Sequence, residues 1–265
     1  MGLRVTLMGT GGSTGVPHIG GPDGSGDWGA CDPYDARNRR LRSSTLFENT
    51  ESGEVLLIDT SPDMRTQMLA SRVRKVDAIL YTHAHADHIV GLDDVRQLNR
   101  IIARPLVAYG NKATMDELTD RFAYAFRPWK PPLFFSPAIV AEIITPGDVL
   151  ATCGLQVQTF DQDHGFMRSL GLRVGPFGYS TDAVDLDDAA FETLAGVDTW
   201  VVGCFQSSPH RTHAWTERVL GWVDRLKPRR TILTHMGIDL DFEKLRRSLP
   251  PGVEPAFDGM VLEFG

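Results

Sequence analysis

The chain has 265 residues, 42% of them hydrophobic and 23% charged, which suits a folded domain with a sizeable core and excludes a disordered or fibrous composition. With 34 acidic against 27 basic side chains the formal net charge is −7, so no general electrostatic footprint for nucleic acid or an anionic membrane exists. Cys31, Cys153 and Cys204 are odd in number and form no CxxC pair; this argues against a disulfide framework or a four-cysteine zinc site and fits a reducing, cytoplasmic setting. No leader-like N-terminal pattern and no run of membrane-spanning length is expected.

Apolar stretches that read as strands recur along the chain: Leu3–Met8, Thr45–Glu48, Val55–Ile58, Ala78–Tyr81, Leu106–Ala108, Leu155–Phe160, Leu170–Val174, Trp200–Gly203, Thr231–Leu233 and Met260–Phe264. Helical patterns fall between them at Arg65–Ser71, Asp93–Ala103, Lys112–Phe126, Ala189–Ala195 and Trp215–Leu226. The last is the clearest, with Trp215, Val219, Trp222, Val223 and Leu226 on one face and Pro228 barring its continuation. Strands first, then alternating strands and helices, predict one α/β layered domain over residues 1–265. Gly9 to Asn38, rich in Gly, Pro and Asp, reads as a long functional loop. "GTGGSTG" within it fits neither dinucleotide nor phosphate-loop spacing and reads as tight turning. "RPWKPPLFFSP" (127–137) reads as an ordered surface segment near a cleft or partner.

The densest chemistry lies in "LYTHAHADHIVGLDD" (80–94), which packs His83, His85, Asp87 and His88 into six positions. A packed core has no use for such groups, because each must be paired or left in water. In a loop leaving the strand "DAILYT", His83 and His85 can converge on one ion, and Asp87 and His88 can turn toward a second. Imidazole and carboxylate without thiolate suit zinc, manganese or iron. Further ligands are available just after later strands: His164 in "VQTFDQDHG", Asp182 in "FGYSTDAVD" and His235 in "RRTILTHMG". Groups at successive strand ends collect on one edge of a sheet.

HxHxDH followed by His, Asp and His at strand ends resembles the metallo-β-lactamase superfamily. "GTGGSTGVPHIGG", "NRRLRSS", "LLIDTSPDMR", "YTHAHADHIVGLDDVRQLN", "GYSTD", "LTHMG" and "FDGM" are similar to the phosphoribosyl 1,2-cyclic phosphate phosphodiesterases of phosphonate breakdown, relatives of the tRNA 3′-processing endonucleases. The resemblance implies a four-layer αββα sandwich with two divalent ions (Mn²⁺ or Zn²⁺, with Fe²⁺ as a further option) at one edge. One ion would be held by His83, His85 and His164, the other by Asp87, His88 and His235, with Asp182 bridging. Asp59 would sit beneath them and fix histidine tautomers. Related proteins carry a separate structural zinc. Here the segment 29–40 has only Cys31, and Ile238 stands where a histidine is expected, so that zinc is expected to be absent and the loop 18–38 to lack its usual anchor.

Two such ions lower the pKa of bound water and offset charge on a phosphoryl group. His213, just before the clearest helix, matches the family's catalytic histidine and is assigned general acid or oxyanion stabiliser, with His210 as local competitor and His18 as a further cleft residue. Asp87 is counted with His213 in the catalytic set. Arg40, Arg42, Ser43 and Ser44 are candidates for holding a second phosphate, Arg42 being equally suited to a structural ion pair. The expected substrate is a small cyclic phosphate ester, with no nucleic acid or membrane partner and a homodimer as one option. A tRNA-processing nuclease and a non-enzymatic metal-binding protein are the alternatives.

Overall fold

A computed structural model describes residues 2–127 and 138–265. Apart from Arg127, the proline-rich stretch 127–137 falls outside the described residues. Two seven-stranded sheets face each other. The first is built from β1 (Leu3–Gly9), β2 (Ser44–Asn49), β3 (Val55–Ile58), β4 (Ala78–Leu80), β5 (Leu106–Gly110) and β6 (Ile139–Ile143), and is closed at its other edge by β14 (Met260–Phe264), in the order β14-β1-β2-β3-β4-β5-β6. The second contains β7 (Val149–Thr152), β8 (Leu155–Asp163), β9 (Arg168–Val174), β10 (Phe177–Ser180), β11 (Thr199–Gly203), β12 (Arg230–Thr234) and β13 (Val253–Pro255), ordered β13-β12-β11-β10-β9-β8-β7.

Helices α1 (Met64–Ala70), α2 (Ala86–Ile89), α3 (Val95–Ile102), α4 (Lys112–Arg121) and α5 (Ala123–Phe126) belong to the first half of the chain. Helices α6 (Asp188–Leu194), α7 (Thr216–Leu226) and α8 (Phe242–Ser248) belong to the second. Alternation explains the layers. In β3 and β4, Leu56, Ile58, Ala78 and Leu80 enter the core between the sheets. Leu57 and Ile79 point the other way, into a separate cluster with Met64 and Met68 of α1 and Val95 and Leu98 of α3. On the far side, Trp200 of β11 packs on Trp222 of α7 with ring centroids 6.3 Å apart, and its indole N–H donates to Ser180 Oγ at 3.0 Å. The α/β layering expected from the strand and helix pattern, and the sandwich implied by the resemblance, are therefore present.

Several local expectations differ. The helical reading over 112–126 breaks at Phe122 (φ −118°, ψ 36°), which separates α4 from α5. Helix α3 is preceded by a 3₁₀ turn over Val90–Asp94, and Asp87 and His88 lie on the four-residue α2 rather than in an open loop. Strands β6, β7 and β13 and helix α8 add to the expected elements. Among the described residues no helix is long and apolar enough to cross a membrane.

Strands β3 to β6 run parallel, as do β10 to β13. Parallel neighbours end on the same side, so the segments after β3, β4, β10, β11 and β12 emerge at one edge, where the two sheets meet.

Candidate metal centre

The side chains gathered at that edge form two groups that share a carboxylate. His83, His85, His164 and Asp182 make one, Asp87, His88, Asp182 and His235 the other, and within each the candidate ligand atoms lie within 4.8 Å of one another. Asp182 offers a different oxygen to each group. Its Oδ2 is 3.7 Å from His83 Nε2 and 3.6 Å from His164 Nε2, while its Oδ1 is 3.4 Å from His88 Nε2 and 3.1 Å from His235 Nδ1. All seven residues expected from the sequence thus lie together, and both sheets contribute to both groups.

Proton bookkeeping shows that these groups cannot satisfy one another. Asp59 accepts from the Thr82 backbone N–H at 2.8 Å and from the Thr82 hydroxyl at 2.7 Å. With its hydrogen committed to Asp59, the Thr82 hydroxyl accepts from His83 Nδ1 at 3.0 Å. Asp59 also accepts directly from His88 Nδ1 at 2.7 Å. His164 Nδ1 donates to the Thr212 carbonyl at 2.6 Å. In each ring the proton is therefore on Nδ1, and Nε2 is a bare lone pair aimed inward. The bare nitrogens of His83 and His164 both face His85 Nδ1, at 3.1 and 3.0 Å, where one proton could serve only one of them. His88 Nε2, His235 Nε2, Asp87 Oδ2 and Asp182 Oδ2 are buried with no hydrogen-bond partner. Converging lone pairs and carboxylates in a buried hole fit divalent cations.

The electrostatics agree. Burial and the neighbouring His88 hold His83 well below the ordinary histidine value. Burial also disfavours charge on His88, yet Asp182, Asp87 and Asp59 together hold it well above that value, so without a cation a second proton is drawn to Nε2, the position that a divalent ion would otherwise fill. Asp182 resists its own burial through His235 and His88 and stays well below the carboxylate range. The cluster attracts positive charge.

Backbone conformation aims several of these groups. Asp59, Asp182 and His235 follow β3, β10 and β12 in the left-handed region, with φ of 62°, 49° and 56°. A non-glycine residue held there is strained, and such residues concentrate at functional sites.

His213 is buried beside the cluster without belonging to either group. Its Nδ1 is 3.7 Å from Asp182 Oδ2, and its ring stacks on His235 with centroids 4.9 Å apart. Burial pulls it down to about 3. Phe205, which the sequence did not single out, forms a wall whose ring lies 4.9 Å from His213 and 5.1 Å from His210. Gly12 permits that wall, since a Cβ there would lie 2.7 Å from Phe205 Cε2. Close approach, rather than turning alone, is the reason for that glycine. His18 pairs through its backbone with Asp27 across the loop.

Of the four residues proposed for a second phosphate, Arg40, Ser43 and Ser44 are buried and otherwise engaged, which corrects that expectation, and Arg42 takes the ion-pair role that was its alternative. Arg40 is 1% exposed and donates to the carbonyls of Gly237 (3.1 Å) and Leu240 (2.6 Å) and to Asn38 Oδ1 (3.1 Å). Arg42 forms a two-pronged ion pair with Asp63 at 2.6 and 2.8 Å. Ser43 Oγ sits 2.9 Å from His235 Nδ1 and donates to the Gly11 carbonyl at 3.1 Å, which makes it a support for a candidate ligand. Ser44 Oγ donates to the Asp59 carbonyl at 2.9 Å. The loop 18–38 is likewise anchored: Asn38 Nδ2 and the Asp32 N–H both donate to Asp241 Oδ2, at 2.8 and 3.0 Å, and Cys31 Sγ donates to the Ile238 carbonyl at 3.3 Å.

Facing sheets, flanking helices and a His/Asp cluster on the shared edge define the class as a metallo-β-lactamase sandwich with a candidate metal centre. Residues 55–236 match the family model described as "Beta-lactamase superfamily domain". A crystal structure of a diphosphatase of the PhnP family is 35% identical, with a TM-score of 0.89 over 100% of this chain and 98% of that one. The chain belongs to the beta-lactamase superfamily and, within it, to the PhnP family. An octanoyltransferase from Porphyromonas gingivalis is 30% identical over 261 residues, 97% of this chain and 51% of that protein. Ribonuclease Z from Treponema pallidum is 28% identical over 170 residues, 62% of this chain and 45% of that protein. The chain thus spans about half the length of these curated relatives.

Proposed function

We propose that the protein is a metal-dependent phosphodiesterase acting on a small phosphate ester such as phosphoribosyl 1,2-cyclic phosphate. The observation that carries this reading is Asp182, whose two carboxylate oxygens each face a separate buried histidine group. That arrangement would seat two divalent cations side by side, His83, His85 and His164 on one, Asp87, His88 and His235 on the other. When bound, such a pair supplies Lewis acidity toward a phosphoryl oxygen and makes water a competent nucleophile near neutral pH.

The remaining work falls to the chain. Asp59 and Thr82 fix the tautomers of His83 and His88, and the Thr212 carbonyl fixes His164. His213 stands next to Asp182 Oδ2 yet outside both groups, so its ring is free to hydrogen-bond a phosphoryl or leaving oxygen. Phe205 packs its ring beside that of His213. A diphosphate is the second substrate type for the same centre, supported by the structural relative described as a diphosphatase. An acidic chain with net charge −7 ranks structured RNA below both.

The test is a panel on metal-loaded protein: phosphoribosyl 1,2-cyclic phosphate, an aryl phosphodiester, a nucleoside diphosphate and precursor tRNA. Turnover of a small diester should exceed trimming of the RNA. Efficient trimming with poor small-diester activity would reverse the ranking.

A further inference from the structure

The hairpin joining β8 to β9 begins with His164 and carries Phe166 at its tip. Phe166 is 90% exposed, a costly position for a phenyl ring in water. The tip is well held. Gly165 N–H donates to Asp163 Oδ1 at 2.7 Å, His164 N–H to the Met167 carbonyl at 3.1 Å, and Arg168 pairs with Asp161 at 2.6 Å below it. Its base is tied to the His213 segment by the 2.6 Å bond from His164 Nδ1 to Thr212 O. Phe166 is thus an apolar ring carried into solvent on a held turn, two residues from a candidate metal ligand.

Phe166 also lines a cleft of about 720 Å³ that reaches His85, with Ala84, Ala113, Pro146 and Met167 as its apolar walls. Charged groups of both signs complete the lining, Lys112, Arg121 and Arg168 with Glu117 and Asp161, and Lys112 is itself paired with Asp116 at 2.6 Å. Aromatic and aliphatic surface leading to the cluster suits the planar ring of an organic phosphate.

We infer that this cleft is a substrate subsite in which a planar ring, aryl or nucleobase-like, on the phosphate ester lies against Phe166 while its phosphoryl group sits at the cluster beyond His85. The inference rests on the phosphate-ester reading above, and calorimetry on metal-loaded protein with phenyl phosphate and methyl phosphate separates the two. Both ligands present the same phosphoryl group, and only one carries a ring. Phenyl phosphate should bind roughly two- to tenfold more tightly, the range of one aromatic contact. Phe166→Ala should remove that preference without changing methyl phosphate affinity or metal content, and Phe166→Tyr should restore it. Equal affinities in the wild type, or a phenyl preference that survives Phe166→Ala, would overturn the subsite. Binding of neither ligand would instead remove the phosphate-ester reading, and the subsite with it.

Discussion

Asp182 is the residue on which both halves of the cluster depend, because no other side chain belongs to both. Asp182→Ala should therefore reduce metal content in both groups and nearly abolish hydrolysis, as metal analysis and a turnover assay would show. Full occupancy with normal activity would disprove the bridging role. His213 presents the opposite case, being adjacent to the cluster without membership of either group. His213→Ala should keep both metals and the native fold while turnover falls by about 10²–10⁴-fold. Comparing a nitrophenolate with an alkoxide leaving group tells how the residue acts. A deficit that shrinks for nitrophenolate identifies proton donation, and an equal deficit identifies charge stabilisation. Loss of metal would show His213 to be a ligand. Arg40 supplies a third contrast. With its guanidinium spent on two carbonyls and Asn38, Arg40→Met should lower stability by about 1–3 kcal/mol, from the partners left unsatisfied in a buried site. Urea unfolding reads that loss, and phosphate affinity should stay unchanged.

At the scale of elements, the centre is a property of strand ends. What the sequence made legible follows from that. Strands such as "DAILYT" and "RRTILT" announce themselves by apolar runs, and the polar residue that follows each is conspicuous because nothing nearby pairs with it. Hence the seven clustered residues stand out at strand ends, while Asp59 is reached only through the family resemblance. Thr82 is legible in neither way, since a threonine next to a histidine has no distinctive spacing. Its part depends on Asp59 arriving from a neighbouring strand, 23 residues away. Arg40 misled for a related reason. A basic cluster does not tell which guanidinium is folded inward, and that is decided by carbonyls near residue 240. Helix α2 was hidden because four residues are too few to show a helical period. The left-handed strand ends give a test of their own. Asp182→Gly and Asp182→Ala should both lose metal, but glycine tolerates a φ of 49° where alanine does not. In chelator-treated protein the glycine variant should be the more stable by about 1 kcal/mol by urea unfolding, and the reverse order would mean that the backbone there is unstrained.

For the molecule as a whole, Asp258 links the first sheet to the loops that approach the centre. Its carboxylate accepts from the Thr10 N–H at 2.9 Å, the Thr10 hydroxyl at 2.8 Å and the Leu41 N–H at 2.7 Å. Burial nevertheless pushes it up to about 7. Its folded-state value lies above that of an unfolded aspartate, about 3.9. The folded chain thus binds the extra proton between those values. The associated stability is full below the lower value and is lost as pH rises through the upper one. Asp258→Asn removes this dependence while losing the acceptor for Leu41. Its melting temperature should be lower than that of the wild type near pH 5 and should fall less steeply from there toward pH 8. A parallel fall in both proteins would mean that Asp258 is already ionised across that range.

The pairing of β1 with β14 sets Leu3 directly opposite Phe264. Adjacent antiparallel strands place such partners roughly 5 Å apart, so the stretch from residue 3 to residue 264 returns to its own starting point. A circular permutant could join residue 264 to residue 3 through a short linker and open instead at the exposed Gly175–Pro176 tip between β9 and β10. That tip lies at the end of β9 away from His164. The rearranged chain should still assemble both ligand groups, because their geometry belongs to the paired strands and not to the order in which the ribosome supplies them.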